Sequence, residues 1–224
     1  MVKISRFVFV LFCLSFFSCK NLTTGKIEEG TIEYDISYPF PNETSISTEL
    51  MPSTMVFQFK DGYTLSTISA SMGVFNTYII TDRSQKKLTQ GLKIMGKKYK
   101  VEFDQKQIDE MIALEPNMKI QLTNDSKMIA GYSCKKAICT FPDTTLPSLE
   151  IFYTNDIKQE KPNWYSTYKE IDGVLMEFYI KRYGIQMKLT AKNVLKDPVE
   201  SSIFKLEGDY KSISVAEMDS YFKI

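Results

Sequence analysis

The chain has 224 residues, 43% of them hydrophobic and 25% charged, with 28 basic against 27 acidic side chains and no histidine. This length suits a single β-rich domain with a core of its own, and the near-neutral balance offers no basic footprint for nucleic acid. The missing histidine excludes Ser–His and Cys–His nucleophile pairs, histidine-ligated zinc and an imidazole base, leaving carboxylate, lysine, tyrosine or cysteine chemistry.

Residues 1–18 open with Lys3 and Arg6, run apolar from Phe7 to Phe17 and end at Ser18, the layout of a secretory signal. The apolar run is about half of the ~20 residues that span a bilayer core, which argues against a transmembrane anchor. Phe16 is large where an ordinary cleavage site needs a small residue. Cys19 follows at once. The segment resembles a bacterial lipoprotein signal, in which the thiol of the first mature residue is acylated, with Phe16 where such signals usually carry Leu. Buried acyl chains contribute about 0.8 kcal/mol per methylene, so lipidation of Cys19 is expected to hold the protein on a membrane. Residues 19–30 then read as a lipidated tether, and 31–224 as one domain.

Period-two alternation dominates that domain. Ile32, Tyr34, Ile36 and Tyr38 alternate with Glu33, Asp35 and Ser37 and stop at Pro39. Met55, Phe57 and Phe59 lead through Asp61-Gly62 to Tyr63 and Leu65, a hairpin with a two-residue primed turn. A strand from Asn76 to Thr81 turns at Asp82-Arg83-Ser84. Leu88, Leu92 and Ile94 precede a Met95-Gly96 turn, and Tyr99, Val101 and Phe103 alternate with Lys98, Lys100 and Glu102. Asp104 with Gln107 reads as a capping box opening a helix with Ile108, Met111 and Ile112 on one face, ending before Pro116.

Strands resume at Ile120 and Leu122, over Tyr132–Phe141 and over Leu149–Tyr153, followed by a looser stretch around Lys161-Pro162-Asn163-Trp164. Val174, Met176, Phe178 and Ile180 pair back through Ile185, Met187, Leu189 and Ala191. Ser214 with Glu217 opens a short C-terminal helix carrying Val215, Met218 and Phe222. Cys134 and Cys139 sit five apart on one strand, so their Cα atoms would lie roughly 16 Å apart on opposite faces. A disulfide needs less than about 7 Å and would require a broken strand; the alternative is two buried thiols.

The fold class expected from this pattern is α+β, mainly β: one large curved antiparallel sheet with one internal helix and a short C-terminal helix. Gly30-Thr31-Ile32-Glu33-Tyr34, Met51-Pro52, Met95-Gly96-Lys97-Lys98-Tyr99, Ala130-Gly131-Tyr132-Ser133-Cys134-Lys135-Lys136-Ala137, Ile171-Asp172-Gly173 and Ala191-Lys192-Asn193-Val194 resemble a family of envelope lipoproteins of the Bacteroidota phylum. That resemblance implies a LolA/LppX-like carrier fold, an unclosed antiparallel barrel with a helical lid around an apolar cavity. It also implies attachment to the outer membrane, on its periplasmic face in preference to the cell surface, and brings no catalytic residues. Asp143-Thr144-Thr145 resembles an O-glycosylation site of that phylum.

Phe57, Phe59, Tyr99, Phe103, Met176, Phe178, Met187 and Leu189 are the residues expected to line such a cavity, where Met and Phe side chains can repack around an acyl chain. The same alternation also describes plain core, and periodicity does not separate the two. Lys97, Lys98 and Lys100 suit either anionic head groups or a solvated strand face beside Glu102. Glu28-Glu29 and Asp109-Glu110 point apart along their elements and form no catalytic pair. The expected function is therefore binding of a lipid or other hydrophobic ligand, without enzyme activity, metal or cofactor. The alternative is an accessory subunit docking on an outer-membrane protein.

Overall fold

The computed structural model describes residues 26–40, 51–69, 75–182 and 184–222; the signal segment and Cys19 lie outside them. Six strands come first: β1 (Gly30–Ser37), β2 (Thr54–Lys60), β3 (Tyr63–Ser69), β4 (Phe75–Asp82), β5 (Lys87–Ile94) and β6 (Lys97–Phe103). Helix α1 (Gln105–Leu114) separates them from β7 (Lys119–Ile129), β8 (Tyr132–Thr140), β9 (Leu149–Thr154), β10 (Val174–Arg182) and β11 (Ile185–Leu195). A 3₁₀ turn (Ser201–Phe204), the two-residue β12 (Lys211–Ser212) and helix α2 (Val215–Ser220) complete the chain.

Local chemistry explains most of these boundaries. Asp61 and Gly62, at φ 50° and 82°, supply the left-handed pair that a primed turn requires, and Met95-Gly96 and Ala130-Gly131 repeat it. Asp104 accepts from the Gln107 amide at 2.9 Å while the Gln107 side chain accepts from the Asp104 amide at 3.0 Å, so the capping box forms in full. Helix α1 ends at Glu115, ahead of Pro116. Ser214 caps α2 and Met218 is buried, but Val215 is 44% exposed and does not join the core.

The twelve strands of the described residues form one unclosed sheet in the order β12-β6-β5-β4-β3-β2-β1-β11-β10-β9-β8-β7. Every pairing is antiparallel except β12 with β6. Two meanders, β1–β6 and β7–β11, therefore meet where β1 pairs with β11. The mainly-β class with few helices is as the alternation predicts; β12 and the 3₁₀ turn are additions that no local pattern announces.

The sheet is strongly curled, and one segment proves it. Between β9 and β10, Trp164 packs with Leu88, Phe103 and Ile108, whereas Tyr168 packs with Ala137, Ile151 and Leu175. Successive turns, in which Ser166 bonds back to Asn163 and Lys169 to Ser166, keep these two residues well inside the roughly 14 Å that four extended residues would reach. In a flat sheet β5 and β9 would stand seven strand spacings, roughly 34 Å, apart. The sheet thus wraps around residues 157–173. Ahead of β1, Ile27 bridges to Ile157, Glu28 pairs with Lys158 at 2.5 Å and Glu29 with Lys60 at 2.7 Å, so residues 27–30 pack on the folded body.

Candidate functional site

The concave face is where the expected lining residues lie. Phe57, Phe59, Met176, Met187 and Leu189 gather in one buried cluster with Ile32 and Tyr34, and Phe178 packs half-buried against it. Tyr99 and Phe103 are buried too, but in a separate cluster with Leu88, Leu92 and α1. The structure brings six of the eight together and sets the other two apart. Phe57 stacks on Phe59 with ring centroids 5.9 Å apart, and Tyr34 meets Phe178 edge-on at 5.7 Å.

The chain itself occupies the space between the two clusters. Asn163, 7% exposed, donates to the Ile171 and Gly173 carbonyls at 2.8 and 2.9 Å, folding residues 163–173 into a closed loop. Trp164 lies under the Lys86 ammonium at 4.8 Å and meets Tyr165 edge-on at 5.7 Å. Tyr168 packs against Phe178 and donates to the Tyr179 carbonyl at 2.6 Å. Burial pushes the Tyr34, Tyr165 and Tyr168 hydroxyls well above the usual phenol range, so all three stay protonated donors. Nothing periodic marks this plug in the sequence; its signal is the crowding of Trp164, Tyr165 and Tyr168 in a stretch otherwise read as loop.

Burial is graded along the concave face. Near the plug, Ile32, Phe59, Leu88 and Phe103 are at most 4% exposed. At the other ends of the strands, Ile68, Phe75, Ile79, Ile94, Ile180 and Ile185 are only half-buried. By strand register, Ile68, Ile79 and Ile94 share the face of Phe59 and Leu88, together with Ser66, Thr77 and Gln90. Phe75 meets Phe222 edge-on at 5.4 Å, and Ile79 and Ile94 pack in the same cluster as Met218 of α2.

Titratable groups are arranged for structure. Glu177, 7% exposed, takes Lys188 at 3.0 Å and Lys127 at 3.1 Å, and the Lys127 ammonium sits 3.8 Å from the Phe152 ring centroid. The sequence hides this trio, because strand alternation places Glu177 on a polar face. Cys134 and Cys139 are free, buried and in separate clusters, and burial pushes both thiols up to about 11. Such thiols are poor nucleophiles at neutral pH. Among the described residues no group of three or more Cys, Asp and Glu side chains could hold a metal ion. No helix among them is long and apolar enough to cross a membrane. Asp143 accepts from the amide and hydroxyl of Thr145 in an exposed loop.

No protein-family model matches the chain and no curated protein matches it. Among solved structures it is similar to PNGF-II, at a TM-score of 0.50 and 16% sequence identity over 87% of this chain. The chain spans 33% of that protein. At that identity the likeness is one of fold.

Proposed function

We propose that the chain is a lipid-anchored envelope protein that binds a hydrophobic ligand, rather than an enzyme, and that the ligand enters the concave face from the end opposite the plug. The observation that carries this reading is the burial gradient: Ile68, Ile79, Ile94, Ile180 and Ile185 remain half-buried while Ile32, Phe59 and Leu88 are closed off. Each half-exposed aliphatic side chain that a ligand covers recovers roughly 25 cal/mol per Å² of apolar surface, so an acyl chain lying across several gains binding energy without opening the plug. The signal segment 1–18 with Cys19 directly after it supports the anchor, and the resemblance to envelope lipoproteins supports the class of ligand.

The test is native mass spectrometry of the chain from Lys20 onward, purified from an envelope-exposed compartment, followed by solvent extraction. A co-purifying lipid of defined mass, lost from the variant Ile79→Asn/Ile180→Asn, is the expected result. A clean apo mass together with no uptake of added fatty acid would reject the reading. The second reading, docking on an outer-membrane protein, is favoured by one feature: β7, the free edge of the sheet, exposes Leu122 at 56% and Met128 at 66%. In that case crosslinks from β7 to a membrane protein replace the lipid mass.

A further inference from the structure

The convex side of β3–β6 is crossed by residues 199–212, which pack there through Val199, Phe204 and Leu206 against Leu65 and Ile80. Between this strap and the strands runs a groove of about 360 Å³, within the 300–1,000 Å³ of ordinary small-molecule sites. Its floor is apolar, with Tyr78, Ile80, Ile203 and Leu206, and its rim carries Lys93, Lys98 and Lys205 against one carboxylate, Glu207. A second depression of about 630 Å³, lined by Lys97, Lys211 and the carboxylate of Asp209, adjoins it at Lys98.

Lys98 is the telling residue. It is half-buried, yet its ammonium has no carboxylate among its described contacts; it donates to the Glu207 carbonyl at 3.3 Å and faces the Tyr210 ring at 5.5 Å. Gly208 lies beside it, and its φ of +83° suits glycine. Lys93, Lys97 and Lys205 likewise show no carboxylate within ion-pair distance among the described residues, whereas Lys100, on the same strand, pairs with Glu102 at 2.8 Å. A held cation without a counter-ion, joined by further ammoniums above an apolar floor, calls for a ligand with concentrated negative charge and an apolar body. Phosphate fits the head best, because its three acceptor oxygens and near-double charge can satisfy several ammoniums at once.

We propose that this groove binds a phosphate-bearing amphiphile, its phosphate among Lys93, Lys98 and Lys205 and its apolar part along Ile80, Ile203 and Leu206. The site lies on the face of the sheet opposite Phe59 and Leu88, so it stands or falls independently of the concave-face reading.

The test is isothermal titration of the full chain in an uncharged detergent with hexyl phosphate, inorganic phosphate and hexanol. Hexyl phosphate should bind, and inorganic phosphate and hexanol should each bind at least about tenfold more weakly, one factor of ten being about 1.4 kcal/mol. The variant Lys93→Gln/Lys205→Gln, which alters two exposed side chains with no ion pair among the described residues, should weaken hexyl phosphate by about tenfold or more. Lys98→Gln should do the same, and the control Lys106→Gln/Lys119→Gln, on α1 and β7, should bind as the unaltered chain does. Absence of binding, equal affinity for inorganic phosphate and hexyl phosphate, or unchanged binding by Lys93→Gln/Lys205→Gln overturns the proposal.

Discussion

Glu177 carries a carboxylate into a nearly closed site, and it can do so because two ammoniums and the Thr190 hydroxyl come with it. Desolvation pushes its pKa up, but the hydrogen bonds and charges of Lys188 and Lys127 outweigh that and hold it below the ordinary 4.5. A carboxylate whose folded pKa is depressed adds stability above its unfolded value, and that stability is lost as pH falls through the folded one. We expect Glu177→Gln to cost about 1–3 kcal/mol at pH 7, since it leaves two partly buried ammoniums without their charge partner. It should also flatten the loss of stability as pH falls below the ordinary glutamate value of 4.5. Urea melts across that range measure both, and parallel slopes for the variant and the unaltered chain would clear Glu177 as the acid-sensitive group.

At the level of elements, residues 163–173 of the plug are held by turns and side chains rather than by strand pairing. Residues 158–173 contribute no strand, and Asn163 fastens the loop through two buried carbonyls. Asn163→Ala strands both carbonyls away from water, at about 1–3 kcal/mol. Hydrogen exchange should then show faster opening at residues 163–173 with β1–β6 unchanged; uniform acceleration would mean that the plug and the sheet unfold as one unit. The contrast with α1 shows what a sequence discloses. Asp104-Gln107, Asp61-Gly62 and the Ile32-Tyr34-Ile36 alternation act over a few residues, and all were legible. Trp164 and Tyr168 take their meaning from strands far away in sequence, and the β12–β6 pair joins residues more than a hundred positions apart through two residues alone. Of the eight residues expected on the concave face, all proved buried or half-buried, because strand parity alone decides that; whether protein or ligand covers a face is decided by the tertiary path of another segment.

The molecule as a whole is a curled sheet whose first described residues are fixed at the plug end, where Ile27 meets Ile157. With Cys19 eight positions before Ile27, an acylated N-terminus would hold that end within about 30 Å of the bilayer at full extension. Cys19→Ala should therefore shift the protein from the membrane pellet to the soluble fraction without changing its melting temperature, and continued pelleting at high salt would exclude the acyl anchor. The strand order carries one more consequence. β1 is the earliest strand to be made, yet its second partner, β11, consists of residues 185–195. While the chain is being synthesised, the β11 side of β1 remains an open edge, and the sheet can join across its middle only when almost the whole polypeptide is present. A chain truncated anywhere before residue 185 would leave that edge open to other chains, so quality control of this protein falls on its last 40 or so residues.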